Sequence, residues 1–190
     1  MPPLLKFVHR IATSRYLILT AALWLVFTAV IMPMAQAEIE RMASGPSIPD
    51  LRFFYTPDQL YGIFDGLTPA ARRMYILAEL SADICYPLVR ELFFSLLLVV
   101  LLRPLASARP ALRRLALWPF VTLVLDLLEN AALVALALYY PLKMNQLALI
   151  AASLTTLKWV ASGITLLLLL SASAFRLWHW AAKPGSPETT

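Results

Sequence analysis

Cysteine occurs once in the 190 residues, as Cys85, and histidine twice, as His9 and His179. A single thiol excludes an internal disulfide, a redox pair and a cysteine-ligated zinc site. With both histidines near the chain ends, no transition-metal site is expected, and no cofactor is assigned. Glycine is scarce, at five residues, and no Gly-rich phosphate loop is present. HExxH, CxxC and a Ser-His-Asp set are absent too, so no signature of a characterised enzyme or transporter emerges. Charged residues make up only 14% of the chain.

Apolar residues fill the space that the others leave. They account for 61% of the sequence, with a mean hydropathy of +0.74. Soluble domains average roughly 45–50% apolar, so the chain reads as an integral membrane protein. Four stretches reach the roughly 20 residues that cross a bilayer core. They are about 16–35, 74–102, 115–140 and 147–170, with one long loop at 36–73. The expected fold is all-α: a single membrane domain over 1–190, built as a four-helix bundle with a short interfacial helix in the outer loop. The net charge of +5 could suit nucleic acid, but the basic residues lie in short runs beside the apolar stretches. That placement fits topology signals, so the expected partner is the lipid bilayer and no nucleic acid.

The basic residues sort by side. Lys6, Arg10, Arg15, Arg103, Arg109, Arg113, Arg114, Arg176 and Lys183 fall on one side of the four stretches; Arg41, Arg52, Arg72, Arg73 and Lys143 fall on the other. The positive-inside rule then puts both termini in the cytoplasm of a multi-pass inner-membrane protein, with Arg72 and Arg73 a mild exception. A competing reading takes the start of the chain as a signal peptide cleaved after "AQA" at 35–37. Its apolar run is about twice the usual length for such a region, which favours a retained helix. Trp24, mid-span, reads as packing, while Tyr139, Tyr140 and "FRLWHW" at 175–180 read as interfacial aromatics with His179 a bystander.

Within the loop, "MASGPSIPD" at 42–50 is a turn-rich connector, and "LRFFY" supplies an aromatic docking strip. In "TPDQLYGIFDG", Thr56 suits an N-cap, Pro57 the first helical position, Gln59 a capping box and Gly66 the helix end. Leu60, Ile63 and Phe64 share a face of this helix, which either seals the bundle or serves as a lid. "TPAARR" at 68–73 repeats the start signal and launches the second span.

The chemistry-bearing residues lie inside the apolar stretches. Counting at roughly 1.5 Å per residue from Leu102, Leu115 and Leu170 puts Arg90, Glu91, Asp126 and Lys158 at roughly 17–18 Å. Glu129 and Asn130 follow at roughly 21–23 Å, so three helices deliver their polar groups to about one depth. At about 100° per residue, Glu79, Asp83, Tyr86 and Arg90 form one band of the second helix, with Glu91 turned away and Cys85 facing outward. Thr122, Asp126, Glu129 and Asn130 share a side of the third. Ala151, Thr155, Lys158, Ser162 and Thr165 make a small, polar stripe on the fourth, where a neighbour can approach closely. The first helix carries no charge and supplies a wall or a lipid face. Expected pairs are Lys158 with Asp126 or Glu129, and Arg90 with Asp83 or a third-helix acid. Two cations against Asp83, Glu91, Asp126 and Glu129 leave surplus negative charge, to be met by a raised carboxyl pKa, a bound cation or water. Pro87 is expected to kink the second helix and free carbonyls beside the cluster, compatible with a cavity open to the outer side.

"YTPDQLYGIFDGLTPAARRMY", "D-x-x-YP", "DLLEN" and "TLKW" together resemble a group of small four-span bacterial integral membrane proteins. That resemblance covers most of residues 50–165; it implies the fold and a shared polar core, and supplies no chemistry.

Three functions remain open. One is a module that binds or transports a small cationic or zwitterionic ligand, or a proton, with Asp126 and Glu129 as acceptors and Arg90 and Lys158 as counter-charges. Without an internal inverted repeat, transport in this reading requires a homo-oligomer. Another is a scaffold or accessory subunit whose polar network fixes helix register and whose aromatic strip docks a membrane partner. The third is an intramembrane enzyme on a lipid-like substrate, using Asp126 and Glu129 as acid and base.

Overall fold

The computed structural model describes residues 2–43, 49 and 52–181. Most of the expected connector at 42–50, Leu51 of the aromatic strip, and Lys183 lie outside the described residues. Among the described residues every regular element is helical: α1 (Pro3–Ile11), α2 (Ser14–Val26), α3 (Met32–Arg41), α4 (Pro57–Gly66), α5 (Pro69–Leu80), α6 (Ala82–Ala108), α7 (Pro119–Tyr139) and α8 (Asn145–Ala181). A π turn, Phe27–Ile31, joins α2 to α3, and a 3₁₀ segment, Pro110–Leu117, precedes α7. Four stretches are long and apolar enough to cross a membrane: Ser14–Arg41, Pro69–Ala106, Pro110–Tyr139 and Asn145–Ala181. Three contain their expected spans and outrun them; the third starts five residues earlier than expected and ends at Tyr139, one residue short of 140. Helical backbone continues as long as no breaker intervenes, even after the side chains turn polar, so hydropathy marks only the middle of each helix.

Local chemistry explains the boundaries. α4 begins with a capping box: the Thr56 hydroxyl accepts from the Gln59 backbone N–H, and the Gln59 side chain accepts from Thr56 N–H. Thr68 caps α5 in the same manner through Ala71 N–H, 3.1 Å away. The π turn lies directly before Pro33, which has no N–H to return to the preceding helical turn; a wider i→i+5 turn, closed by Met32 N–H on Phe27 O, accommodates it. The second span is interrupted at Ser81, whose φ of −127° and ψ of −81° are non-helical. Beyond that break, α6 continues as helix through both Pro87 and Pro104.

α6 is the central element, packed against span 1, α7, α8 and the 3₁₀ segment, while α7 and α8 form the most extensive helix pair. Span 1 rests on α6 and makes no comparable interface with α8. Trp24 anchors it, its ring stacked 5.4 Å from that of Phe93. Two apolar clusters close the bundle at opposite ends. At the α4 end, Tyr55, Leu60, Tyr61, Phe64 and Tyr75 are buried with Leu133, Leu136 and Ala148. At the α1 end, Val8 and Ala12 are buried with Leu96, Val99, Ala116 and Leu169. The polar residues of α6, α7 and α8 occupy the zone between them.

Candidate functional site

Asp126 and Glu129 stand three residues apart on α7, and Thr155 and Lys158 three apart on α8, so each pair shares a face over one turn. Across that contact, Lys158 Nζ reaches Asp126 Oδ1 at 3.2 Å and Glu129 Oε2 at 2.5 Å. From α6, Arg90 donates through Nη2 to Asp126 Oδ2 at 3.0 Å and through Nε to Glu91 Oε1 at 2.7 Å. Charges therefore alternate along one connected row: Glu91, Arg90, Asp126, Lys158, Glu129. The row continues at its far end, where Thr155 Oγ1 lies 2.5 Å from Glu129 Oε1 and 3.3 Å from the Tyr55 hydroxyl. Each lone charge held at mid-membrane costs at least about 2.5–3.5 kcal/mol, and alternation lets every interior member of the row share that cost with two neighbours.

A second polar group meets the row from the α6 backbone. Pro87 carries no N–H, so the Asp83 carbonyl four residues earlier loses its helical donor. Asn130 Nδ2 of α7 supplies one instead, at 2.8 Å. The same device recurs at Pro104: Arg176 Nη1 of α8 donates to the Val100 carbonyl at 2.8 Å. Helix-internal proline thus creates acceptor sites, and each is filled by a side chain from another helix.

All the candidate residues fall in or beside this zone. Glu79, Asp83, Glu91, Asp126, Glu129, Asn130 and Lys158 are buried. Arg90 is partly covered, and its guanidinium lies over the Tyr86 ring, 5.1 Å from the centroid. Two expectations change. Of the partners considered for Arg90, the third-span acid Asp126 receives it, and its second partner is Glu91 rather than Asp83. Glu91 was expected to turn away, yet it is 1% exposed. The reason is that α6 packs on span 1, α7, α8 and the 3₁₀ segment, so a face 100° from the polar band is still interior. Cys85 is exposed on the outward face.

Beside the row lies a cavity of about 150 Å³, lined by Asp83, Tyr86, Arg90, Asp126, Lys158 and Ser162, with Met32 and Trp159 on its two sides. At ~30 Å³ per molecule it holds about five waters or a ligand group of that size. None of its lining residues comes from 52–67, and the α4 end is closed by the buried aromatic cluster. The cavity is walled by span 1, α6, α7 and α8, with Met32 from span 1 and Lys158, Trp159 and Ser162 from α8. The π turn flanks it: Phe27 contacts Tyr86 with ring centroids 6.3 Å apart, and Met32 follows immediately.

Sequence reasoning overlooked Met32, Trp159 and the Tyr55 hydroxyl as members of this site. Met32 and Trp159 carry no charge that would mark them within their apolar runs. Tyr55 joins only because the loop folds back across α8, where Phe53 O accepts from Thr156 at 3.1 Å. Among the described residues, no group of three His, Cys, Asp or Glu could hold a metal ion.

No protein-family model, curated protein or solved structure matches the chain. What the site can do therefore follows from its own groups. Its wall offers two cations and two carboxylates within one small space, with aromatic faces at Tyr86 and Trp159.

Proposed function

We propose that this protein is a multi-pass inner-membrane binding module that takes a small zwitterionic group into the cavity beside Asp126. The observation that carries this reading is the mixed charge of the cavity wall: Arg90 and Lys158 face the same space as Asp83 and Asp126. A ligand's anionic part meets the two cations, and its ammonium meets Asp83 and the Tyr86 and Trp159 rings, which attract cations. A purely anionic or purely cationic ligand leaves half of this wall unmatched. Entry is lateral, between Met32 and Trp159, because apolar clusters close both ends of the bundle.

The orientation belongs to the same proposal. Both termini are cytoplasmic by the distribution of basic residues, and α4 lies at the outer surface as an interfacial helix. The test is thermal unfolding of purified protein in detergent with choline, ethanolamine, phosphoethanolamine, glycine betaine and amino acids, at several pH values. A zwitterion is expected to raise the midpoint by several degrees, an effect lost in Asp83→Asn. Protection by none of these compounds at any pH overturns the reading.

The scaffold alternative has one observation of its own. Phe53 and Phe54 are exposed beside a loop segment tied to α8, as a docking strip requires. It predicts a membrane partner that co-purifies with the wild type and is lost from a Phe53→Ser/Phe54→Ser variant. A transport role further requires a homo-oligomer, which crosslinking in native membranes detects.

A further inference from the structure

Positive charge gathers at the α1 end, and among the described residues no ion pair offsets it. Lys6, Arg10 and Arg15 come from the N-terminal segment, Arg103 from the end of α6, Arg109, Arg113 and Arg114 from the connection that follows, and Arg176 from α8. Tertiary contacts gather them: Arg103 donates to the Ala12 carbonyl, Arg176 reaches Val100, and α1 packs on both α6 and the 3₁₀ segment. No Asp or Glu occurs in residues 1–37, 92–125 or 130–187. Among the described residues, no carboxylate comes within ion-pair distance of Arg113 or Arg114. His9 senses this field. Burial first, then Arg113 and Arg103, push its pKa below the ordinary imidazole value.

The charge surrounds a shaped space. A cavity of about 410 Å³ lies between Pro2 and Leu5 of the N-terminal segment and Pro110, Ala111, Arg113 and Arg114 of the 3₁₀ segment. On α1 the apolar side chains of Leu4 and Phe7 are exposed, while Leu5 and Val8 are buried. α1 therefore presents apolar surface beyond what its own packing uses, and Arg113 and Arg114 line the cavity at its side. That combination suits one class of molecule: an amphiphile with acyl chains and a phosphodiester head group. Guanidinium forks bind phosphate oxygens bidentately, and basic pockets at helix ends take anionic head groups.

We infer that the cavity between α1 and the 3₁₀ segment is a binding site for an anionic phospholipid, with Arg113 and Arg114 on the phosphate and Leu4 and Phe7 against its chains. The site is separate from the Asp126 cavity, at the other side of the apolar cluster around Leu96 and Leu169. Its success or failure is therefore independent of the zwitterion reading.

The experiment compares delipidated protein in micelles supplemented with phosphatidylglycerol, phosphatidylcholine or inorganic phosphate, reading bound lipid by native mass spectrometry and the unfolding midpoint. Phosphatidylglycerol is expected to stay bound and raise the midpoint, and the other two are not. In Arg113→Gln/Arg114→Gln, its apparent affinity is expected to fall at least tenfold. Arg72→Gln/Arg73→Gln, at the α4 end, is expected to bind as wild type. Because the ratio of phosphatidylglycerol to phosphatidylcholine binding is read within each variant, general destabilisation cancels. Equal binding of phosphatidylcholine, full protection by phosphate alone, or wild-type selectivity in the Arg113/Arg114 variant each overturn the proposal.

Discussion

Asn130 shows how one side chain connects a local backbone defect to the packing of two helices. Its amide takes the place of the N–H that Pro87 lacks, and so binds the Asp83 carbonyl beside the charged row. Asn130→Leu leaves that buried carbonyl without its donor, and a loss of about 1–3 kcal/mol is expected in reversible unfolding from detergent. The cost shrinks in a Pro87→Ala background, where residue 87 again supplies a helical N–H. Equal costs in the two backgrounds would show that the carbonyl is not what Asn130 serves. Lys158 holds a stronger position, between Asp126 and Glu129. Lys158→Met takes the cation from buried Glu129 and leaves Asp126 only Arg90, and is expected to cost about 3–5 kcal/mol, much of it recovered by adding Glu129→Gln. Strict additivity of the two changes, measured in a double-mutant cycle, would contradict the connected row.

At the scale of elements, α4 closes one end of the bundle through a short helix that depends on its caps. Thr56→Ala removes the hydroxyl that Gln59 N–H uses, and about 1 kcal/mol of local stability is expected to go with it. Hydrogen exchange of 57–66 reads this directly; protection equal to wild type would assign the helix's stability to burial of Leu60 and Phe64 alone. The far end of α4 is tied by the Tyr140 hydroxyl, which donates to Asp65 Oδ1. That hydrogen bond holds the Tyr140 pKa above the ordinary 10.0, with burial adding to it. A raised pKa means that folding favours the protonated phenol. The contribution is complete below the unfolded value and is lost as pH climbs through the folded one. Wild type is thus expected to lose stability above pH 10 more steeply than Tyr140→Phe. Parallel pH curves for the two proteins would exclude this tie as a source of stability.

For the whole molecule, the helices outrun the bilayer. α8 has 37 residues, which at roughly 1.5 Å each exceeds the roughly 30 Å hydrocarbon core by several turns. Phe175, Trp178 and Trp180, exposed near its end, suit a place in the head-group layer. If both termini are cytoplasmic, a reporter fused after Ala181 is active only in its cytoplasm-dependent form, and one inserted beside Arg52 only in its periplasmic form. The reverse pattern would invert the proposed orientation. Cys85, exposed on the outward face of α6, is expected to react with an apolar maleimide and not with a charged, membrane-impermeant one. Labelling by the charged reagent would place that face against water.

Composition and periodicity sufficed for the helical class and for four spans, because burying unpaired backbone in an apolar medium leaves few other solutions. Cap chemistry was equally local: Thr56, Pro57 and Gln59 act within one turn of each other, so the start of α4 was legible. The common depth of Arg90, Asp126 and Lys158 followed from counting residues. Partner choice did not. Arg90 bridges Asp126 and Glu91 because of how α6 and α7 are rotated and spaced, and Glu91 is interior because α6 packs on several elements at once. The cavity likewise depends on side chains of span 1, α6, α7 and α8 meeting around it, and on Met32 following a π turn. Local rules act over one helical turn, and residues far apart in the chain decide these contacts. The sequence by itself determined which polar groups would be carried into the apolar zone; only tertiary packing decided how they pair and on which side a ligand can reach them.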